Sequence, residues 1–329
     1  MTVRFGTLGA ANITPRALLE PCRDEPRAVV RCVAARDSER AEGFARWHRI
    51  PVVHDTYRRV VEDPDIDAVY NPLPIAWHRE WTLAALAAGK HVLCEKSFAC
   101  NAGEAEGMAR AAADTGLVLM DAFHYRYHPV FRRAKEIVDD GLLGPVRSIE
   151  AAFHVPVTDP RNIRSQYATG GGVTMDIGCY PISWARHITG EEPVRVEATA
   201  ETGPPNVDTR LEARLHFPSG IVANVSGDMR AGVARRMDLT VTGERGTLHV
   251  ENPLAPQIGH SIHLDVDGET HVETRDRRSS YAYQLDAFLD AVEEGAALLT
   301  GPEDAVNQMR TIDRCYEAAG LPIRGLDLS

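Results

Sequence analysis

Short apolar runs alternate with amphipathic stretches through the first third of the chain. The apolar runs fall at residues 3–8, 29–35, 68–70, 91–94 and 117–120. Between them, residues 38–48, 78–88 and 102–113 are rich in Ala, Glu, Arg and Leu and carry the spacing of helices. Gly89 and Gly116 stand where two of these helices should stop, the position at which a backbone without a Cβ closes the last turn. Strand–helix repetition of this kind predicts parallel βαβ units, with a sheet covered on both faces.

The second half has a different period. Leu211, Ala213, Leu215 and Phe217 alternate with Arg210, Glu212, Arg214 and His216, and Pro218-Ser219-Gly220 turns the chain into 221–225. Strand-like runs follow at 237–241 and 248–250, and Asp267-Gly268 joins 262–266 to 270–274 as a hairpin. Helical stretches flank these strands at 129–139, 181–188, 281–293 and 303–319. The predicted fold class is α/β: an N-terminal doubly wound parallel sheet, then a C-terminal α/β domain on a large, open, mainly antiparallel sheet. The expected domains are 1–122 for a dinucleotide and 123–329 for substrate and oligomerisation, with the helix near 303–319 a candidate to pack back on the first.

Size agrees with two domains, since 329 residues exceed what one core usually supports. A hydrophobic fraction of 44% with 25% charged residues excludes disorder as the main state. The 36 basic and 47 acidic side chains leave a net charge of −11, which argues against nucleic acid or an anionic membrane as the partner. No window approaches the ~20 apolar residues of a membrane helix, and the N-terminus enters a strand pattern at once, so a cytoplasmic protein is expected. The six cysteines (Cys22, Cys32, Cys94, Cys100, Cys179, Cys315) form no CxxC and read as reduced thiols, and no metal site is expected.

Three places stand out chemically. Gly9-Ala10-Ala11-Asn12-Ile13-Thr14 follows the first strand and precedes a helical stretch, the position of a dinucleotide loop, where backbone must approach a pyrophosphate. Only the first glycine of that pattern is present, and a plain strand-to-helix turn fits the loop equally well. At the end of the second strand, where an acidic residue usually holds the adenosine ribose, Ala35 is followed by Arg36, Asp37 and Ser38. An arginine and a serine would hold a 2′-phosphate that a carboxylate would repel. Asp37 competes as a ribose ligand, and Arg36 also reads as a solvated charge. Glu95-Lys96-Ser97 follows the apolar run 91–94, so Lys96 points to the edge where open parallel sheets bind ligands.

The order of these segments is similar to that of the Gfo/Idh/MocA oxidoreductases. The resemblance rests on Gly9 to Thr14, Asn71-Pro72 with His78, the run Gly89 to Lys96, Arg126-Tyr127-His128-Pro129, and Gly170-Gly171-Gly172 leading to Asp176-Ile177-Gly178-Cys179-Tyr180. It covers almost the whole chain. Tyrosine at 180, where many members carry histidine, resembles the branch of glucose–fructose oxidoreductase, dimeric dihydrodiol dehydrogenases and D-xylose dehydrogenases. The resemblance implies a Rossmann first domain and a catalytic group of Lys96, Asp176 and Tyr180. It implies cofactor contacts from Gly9, Ala11, Asn12, Ile13, Arg36, Asp37, Ser38, Asn71, Pro72, Leu73, His78, Glu95 and Lys96. Substrate contacts would come from Lys96, Arg126, Tyr127, Asp176 and Tyr180. Ser97 stands where the family usually has proline after the lysine.

The residue types suit the chemistry on their own terms. Oxidising a carbinol needs a base for the hydroxyl proton while the cofactor takes the hydride. A free phenol ionises near about 10, and an ammonium beside it lowers that value. In a helix, Asp176 and Tyr180 share a face. A buried phenol bonded to backbone and a helix-capping aspartate are the competing readings of these two residues. The expectation is an NADP-dependent oxidoreductase, with NAD as alternative cofactor, acting on a sugar, polyol or cyclic diol. A homodimer or homotetramer through the C-terminal sheet is expected. Rivals are a nucleotide-sugar ketoreductase of deoxysugar synthesis, a redox-assisted glycoside hydrolase using bound NAD, and a non-enzymatic dinucleotide sensor.

Overall fold

A computed structural model describes residues 2–204 and 206–325. Their contacts divide the chain into two compact units, residues 1–126 with 279–306, and residues 127–278 with 307–329. The division falls inside the helix Pro302–Ala318, between Val306 and Asn307.

The first unit is built on strands β1 (Val3–Leu8), β2 (Ala28–Ala34), β3 (Val52–His54), β4 (Ala68–Asn71), β5 (His91–Cys94) and β6 (Leu119–Asp121). They form one six-stranded sheet in the order β3-β2-β1-β4-β5-β6, with every pairing parallel. The order reverses between β1 and β4, and that switch point is where such sheets open a crevice at their carboxyl ends. Central strands are buried on both faces, as Val3, Phe5, Val69, Tyr70, Val92 and Leu93 show. Strand β3 was not anticipated: it has three residues, Val52 and Val53 are exposed, and an edge strand that short leaves no apolar period to read.

The helix Ser280–Glu294, read from the sequence as a flank of the second sheet, belongs to the first unit. Its Phe288 packs on Phe5 of β1 with ring centroids 5.5 Å apart, and its Asp290 accepts a 2.7 Å bond from Arg27. Amphipathic period shows that a helix has an apolar face but not which sheet receives it.

The second unit contains β7 (Val146–His154), β8 (Arg195–Thr202), β9 (Asp208–His216), β10 (Val222–Asp228), β11 (Arg236–Gly243), β12 (Gly246–Glu251), β13 (Ser261–Val266) and β14 (Glu269–Glu273). The order is β14-β13-β12-β11-β7-β10-β9-β8. Only β7 and β10 pair in parallel, so the open, mainly antiparallel sheet expected from the alternation is present. Leu211, Ala213 and Leu215 face inward, as do Leu239, Val241, Leu248 and Val250. The opposite face is polar, with Thr240 bonded to His249 across strands at 2.9 Å. Helix Cys179–Thr189 covers the apolar face. Close approach there requires Gly227 of β10, because a Cβ would lie 3.1 Å from the Cα of Gly178.

Phe288→Ala removes a fully buried ring and should cost about 3–5 kcal/mol. Urea unfolding checks this through a lowered midpoint at unchanged slope. A shift worth under ~1 kcal/mol would show that the ring is not part of the first unit's core.

Candidate active site

At the carboxyl end of β1 the chain turns on Gly9, with φ +85°. A side chain there would be strained in the backbone and would meet Leu73 at 3.3 Å. Gly9 N–H donates to the Ala34 carbonyl at 2.7 Å, which ties the loop to the end of β2. Ala11 and Ile13 are half-buried, Asn12 is exposed, and a π-helical turn follows at Pro15–Leu19. Thr14 is fully buried, yet its hydroxyl has no hydrogen-bond partner among the described residues. A left-handed glycine beside an orphaned hydroxyl suits a loop shaped for an anionic group held by backbone.

Arg36, Asp37 and Ser38 are exposed beyond β2. Asp37 is engaged as a helix cap: its carboxylate accepts the Arg40 N–H at 2.9 Å. The Arg36 guanidinium lies 5.8 Å from the Trp77 ring centroid. Arg40, which no motif in the sequence marks, donates to the Ala10 carbonyl at 2.7 Å. The strand end therefore presents two arginines, one bonded to the glycine loop. Arg40 sits three residues past its capping aspartate, one helical turn in, and that spacing was the available signal.

Around Lys96 the packing is closer. Tyr70 donates its hydroxyl to Glu95 at 2.7 Å, both side chains being buried, and the other Glu95 oxygen accepts the Lys96 N–H at 3.3 Å. Burial, then the Glu95 charge, pushes the Tyr70 phenol far above its ordinary value, so it is a fixed donor. The Lys96–Ser97 peptide bond is cis. His78 is fully buried between the carbonyls of Leu73 (2.6 Å) and Ser97 (2.8 Å). Burial lowers its pKa to about 4, with the backbone carbonyls opposing in part. Neutral His78 donates from one ring nitrogen only, to one of these two carbonyls, and stands between the Leu73 loop and the lysine turn. Asn71 braces it, donating to the His78 carbonyl at 3.2 Å and the Thr82 hydroxyl at 3.3 Å. Pro72 and Leu73 are buried in the same loop. Arg126 is 5% exposed and pairs with Asp304 at 3.2 Å within the first unit, whereas Tyr127 begins the second.

The second unit holds Asp176 and Tyr180. Asp176 lies in a π-helical turn, Thr174–Gly178, that leads directly into helix Cys179–Thr189. Pro181 has no N–H for the helix ladder, and the widened turn before it is where that irregularity is taken up. Arg164 donates from Nε to Asp176 at 2.5 Å, and Asn162 holds the loop by accepting the Arg164 N–H at 3.1 Å. The Asp176 charge, followed at smaller size by nearby Tyr180, raises the Arg164 pKa against its burial. Tyr180 is 6% exposed, its ring 5.8 Å from Phe153 and 6.4 Å from Trp184. The sequence left Arg164 between substrate contact and solvent; its partner is Asp176.

Cys32, His54 and Asp63 also meet, with ligand-type atoms within 4.8 Å of one another. His54 and Asp63 are hydrogen-bonded at 2.8 Å, burial lifts the Cys32 thiol to about 12, and the Lys90 ammonium donates to the Asp63 carbonyl at 2.8 Å. A protonated thiol beside a fixed cation makes this a hydrogen-bonded cluster of the sheet edge.

A parallel sheet in the order 3-2-1-4-5-6, a glycine turn at its switch point and a lysine at a neighbouring strand end define the class: a nicotinamide-dinucleotide oxidoreductase with a Rossmann first unit. Residues 3–123 match the oxidoreductase family with NAD-binding Rossmann fold, and residues 131–249 match the GFO/IDH/MocA C-terminal domain. The chain belongs to the GFO/IDH/MocA oxidoreductase family. It is 35% identical over 317 residues to D-xylose 1-dehydrogenase (NADP(+)) 2 of Haloferax volcanii, covering 96% of this chain and 97% of that one. It is 32% identical over 321 residues to dTDP-3,4-didehydro-2,6-dideoxy-alpha-D-glucose 3-reductase of Streptomyces antibioticus, covering 96% and 97%. Among solved structures, aldose-aldose oxidoreductase from Caulobacter crescentus, complexed with glycerol, superposes with a TM-score of 0.90 at 27% identity, covering 97% and 98%.

His78 carries a pH consequence. Its folded-state pKa of about 4 lies below the ordinary 6.5, so between those values the unfolded chain binds a proton that the folded chain refuses. Stability is then full above about 6.5 and falls by roughly 3 kcal/mol as pH drops to 4. His128, also lowered to about 4 by burial, acts in the same window. Denaturant midpoints measured from pH 7 to 4 should fall more steeply in the parent than in His78→Gln. Equal slopes would mean that folding leaves the His78 pKa at its ordinary value.

Proposed function

We propose that this chain is an NADP-dependent oxidoreductase that moves a hydride between nicotinamide and a carbinol or carbonyl carbon of a sugar, polyol or cyclic diol. The observation that carries this reading is the joint presence of Lys96 at the sheet's carboxyl edge and of Tyr180 one helical turn beyond an ion-paired Asp176. The similarity to an NADP-linked xylose dehydrogenase over nearly the whole chain supports the substrate class and the cofactor.

Gly9, Ala11, Asn12 and Ile13 would hold the pyrophosphate, and Arg36 with Arg40 and Ser38 a 2′-phosphate. Asn71, Pro72, Leu73 and Glu95 shape the loops beside it, with His78 as their strut. The bound nicotinamide supplies or accepts the hydride. In oxidation, Tyr180 as phenolate takes the substrate hydroxyl proton, and the Lys96 ammonium stabilises the oxygen as charge develops on it. Asp176, held as an anion by Arg164, accepts a substrate hydroxyl and fixes the ring. Arg126 and Tyr127 are the remaining proposed substrate contacts. Reduction runs the same proton path in reverse. The polar face of the second sheet is the proposed surface for a homodimer or homotetramer, and the cytoplasm the proposed location. Among the described residues, no helix is long and apolar enough to cross a membrane.

A second reading, a ketoreductase of nucleotide-linked deoxysugars, is favoured by the identity to the Streptomyces 3-reductase. Free aldoses and nucleotide-linked ketosugars assayed side by side separate the two. Turnover of free sugar at physiological concentration supports the first.

In fluorescence titration, NADPH should bind more tightly than NADH. Arg36→Ala should lose about 10- to 100-fold of NADPH affinity, the scale of charge-assisted hydrogen bonds, with NADH little changed. Equal parental affinities would defeat the 2′-phosphate assignment.

Lys96→Met should lower turnover about 10²- to 10⁴-fold while cofactor still binds, and Tyr180→Phe should do likewise and remove the rising limb of the pH–rate profile. Tyr180→His, bringing a group that titrates near 6.5 rather than about 10, should move that limb toward neutral pH in single-turnover hydride transfer. A limb that stays in place would assign the base to another group.

A further inference from the structure

Arg324 lies six residues past the end of the helix Pro302–Ala318, in a non-helical strap, yet its side chain is fully buried, as is that of Asp208 on β9. The pair is joined at 2.6 Å. Arg324 Nε also donates to the Gly171 carbonyl at 2.9 Å, and Nη1 to the Pro322 carbonyl at 3.0 Å. Its guanidinium carbon sits 4.4 Å from the Tyr316 ring centroid and 4.8 Å from that of Tyr167. Asp208 accepts three further bonds: Thr174 N–H (2.8 Å), Thr174 hydroxyl (2.6 Å) and Tyr316 hydroxyl (3.1 Å).

A buried ion pair of this kind is weak evidence for stability, because desolvating both charges cancels most of their attraction. Its geometry points elsewhere. Gly172 has φ +137°, and a Cβ there would stand 2.1 Å from Asp208 Oδ1, so the glycine admits the carboxylate. A Cβ on Gly171 would stand 2.6–2.7 Å from the carbonyls of Ile163, Arg164 and Gln166, so that glycine admits the loop carrying Arg164. One guanidinium thus grips the Gly171 carbonyl and, through Asp208, the first residue of the turn that bears Asp176. The loop carrying the partner of Asp176 folds on the same two glycines.

We propose that Arg324 is a positioning residue for the reaction: with Asp208 it sets the place of the Gly171–Thr174 segment, and so of Asp176 and Tyr180. This rests on the reading, given above, that those two residues act on substrate.

Arg324→Ala tests it, because the change leaves a gap shaped for a guanidinium ion between two tyrosine rings and a carboxylate. Expected are a fall in kcat of about 10²-fold, the scale of a 1 Å misplacement, with NADPH affinity unchanged, and faster amide hydrogen exchange confined to residues 171–180. Guanidinium chloride at low millimolar concentration should restore both activity and protection. Arg324→Lys should restore little, since a point charge cannot span the fork. Should Arg324→Ala fold poorly, Thr174→Val removes one bond to Asp208 and should lower kcat about 10-fold with the same local exchange signature. Loss that guanidinium does not relieve, with exchange raised throughout the second unit, would make Arg324 merely structural and overturn the proposal. Full activity in Arg324→Ala beside an inactive Tyr180→Phe would overturn the proposal alone. Full activity in both would overturn the reading it rests on.

Discussion

Asp208 and Arg324 have no access to water, and each must satisfy its hydrogen bonds inside the second unit. That requirement fixes much of what surrounds them. The carboxylate collects Thr174 and Tyr316, the guanidinium collects Gly171 and lies between two phenol rings, and Gly172 makes room for both. The widened turn carrying Asp176 starts from this anchored segment, and the helix of Tyr180 starts from the turn. A base in the middle of a regular helix would be placed by helix packing alone. The proposed base, Tyr180, follows an irregular turn, and irregular backbone holds one shape only where neighbouring groups over-determine it.

The first unit reaches a comparable result with a different device. Lys96 stands on a turn held by neutral His78, whose two ring nitrogens face the carbonyls of Leu73 and Ser97, while Glu95 next to it is engaged by Tyr70. A histidine that titrated near neutrality would make this strut pH-sensitive; burial removes that option. Each unit therefore carries part of the proposed chemistry on backbone that is bonded from behind: the ammonium in one, the phenol and its carboxylate neighbour in the other.

Much of this was legible in the residues. The change from strand–helix repetition to period-2 alternation separated the two sheets, and the glycine and lysine segments were placed at the carboxyl ends of strands, where parallel sheets open a crevice. What the sequence left dark has identifiable physics. A three-residue edge strand such as β3 has no period. The helix Ser280–Glu294 shows its apolar face but not its destination. Asp208 and Arg324 are 116 positions apart, and no local pattern distinguishes them from the solvated charges around them. Arg164 sat in a polar loop with no period at all. Asp37 was legible as a candidate ribose ligand, but its use as a helix cap depends on the exact start of the helix, which spacing does not supply.

The central claim is hydride transfer between a sugar-type carbinol and the nicotinamide. It is tested most directly by incubating the enzyme with an aldose deuterated at the carbon to be oxidised, together with NADP, and following the label by NMR. Deuterium should appear at C4 of the nicotinamide, on one face only, with none in solvent. Product formed without label in the reduced cofactor, or label lost to water, would contradict the account.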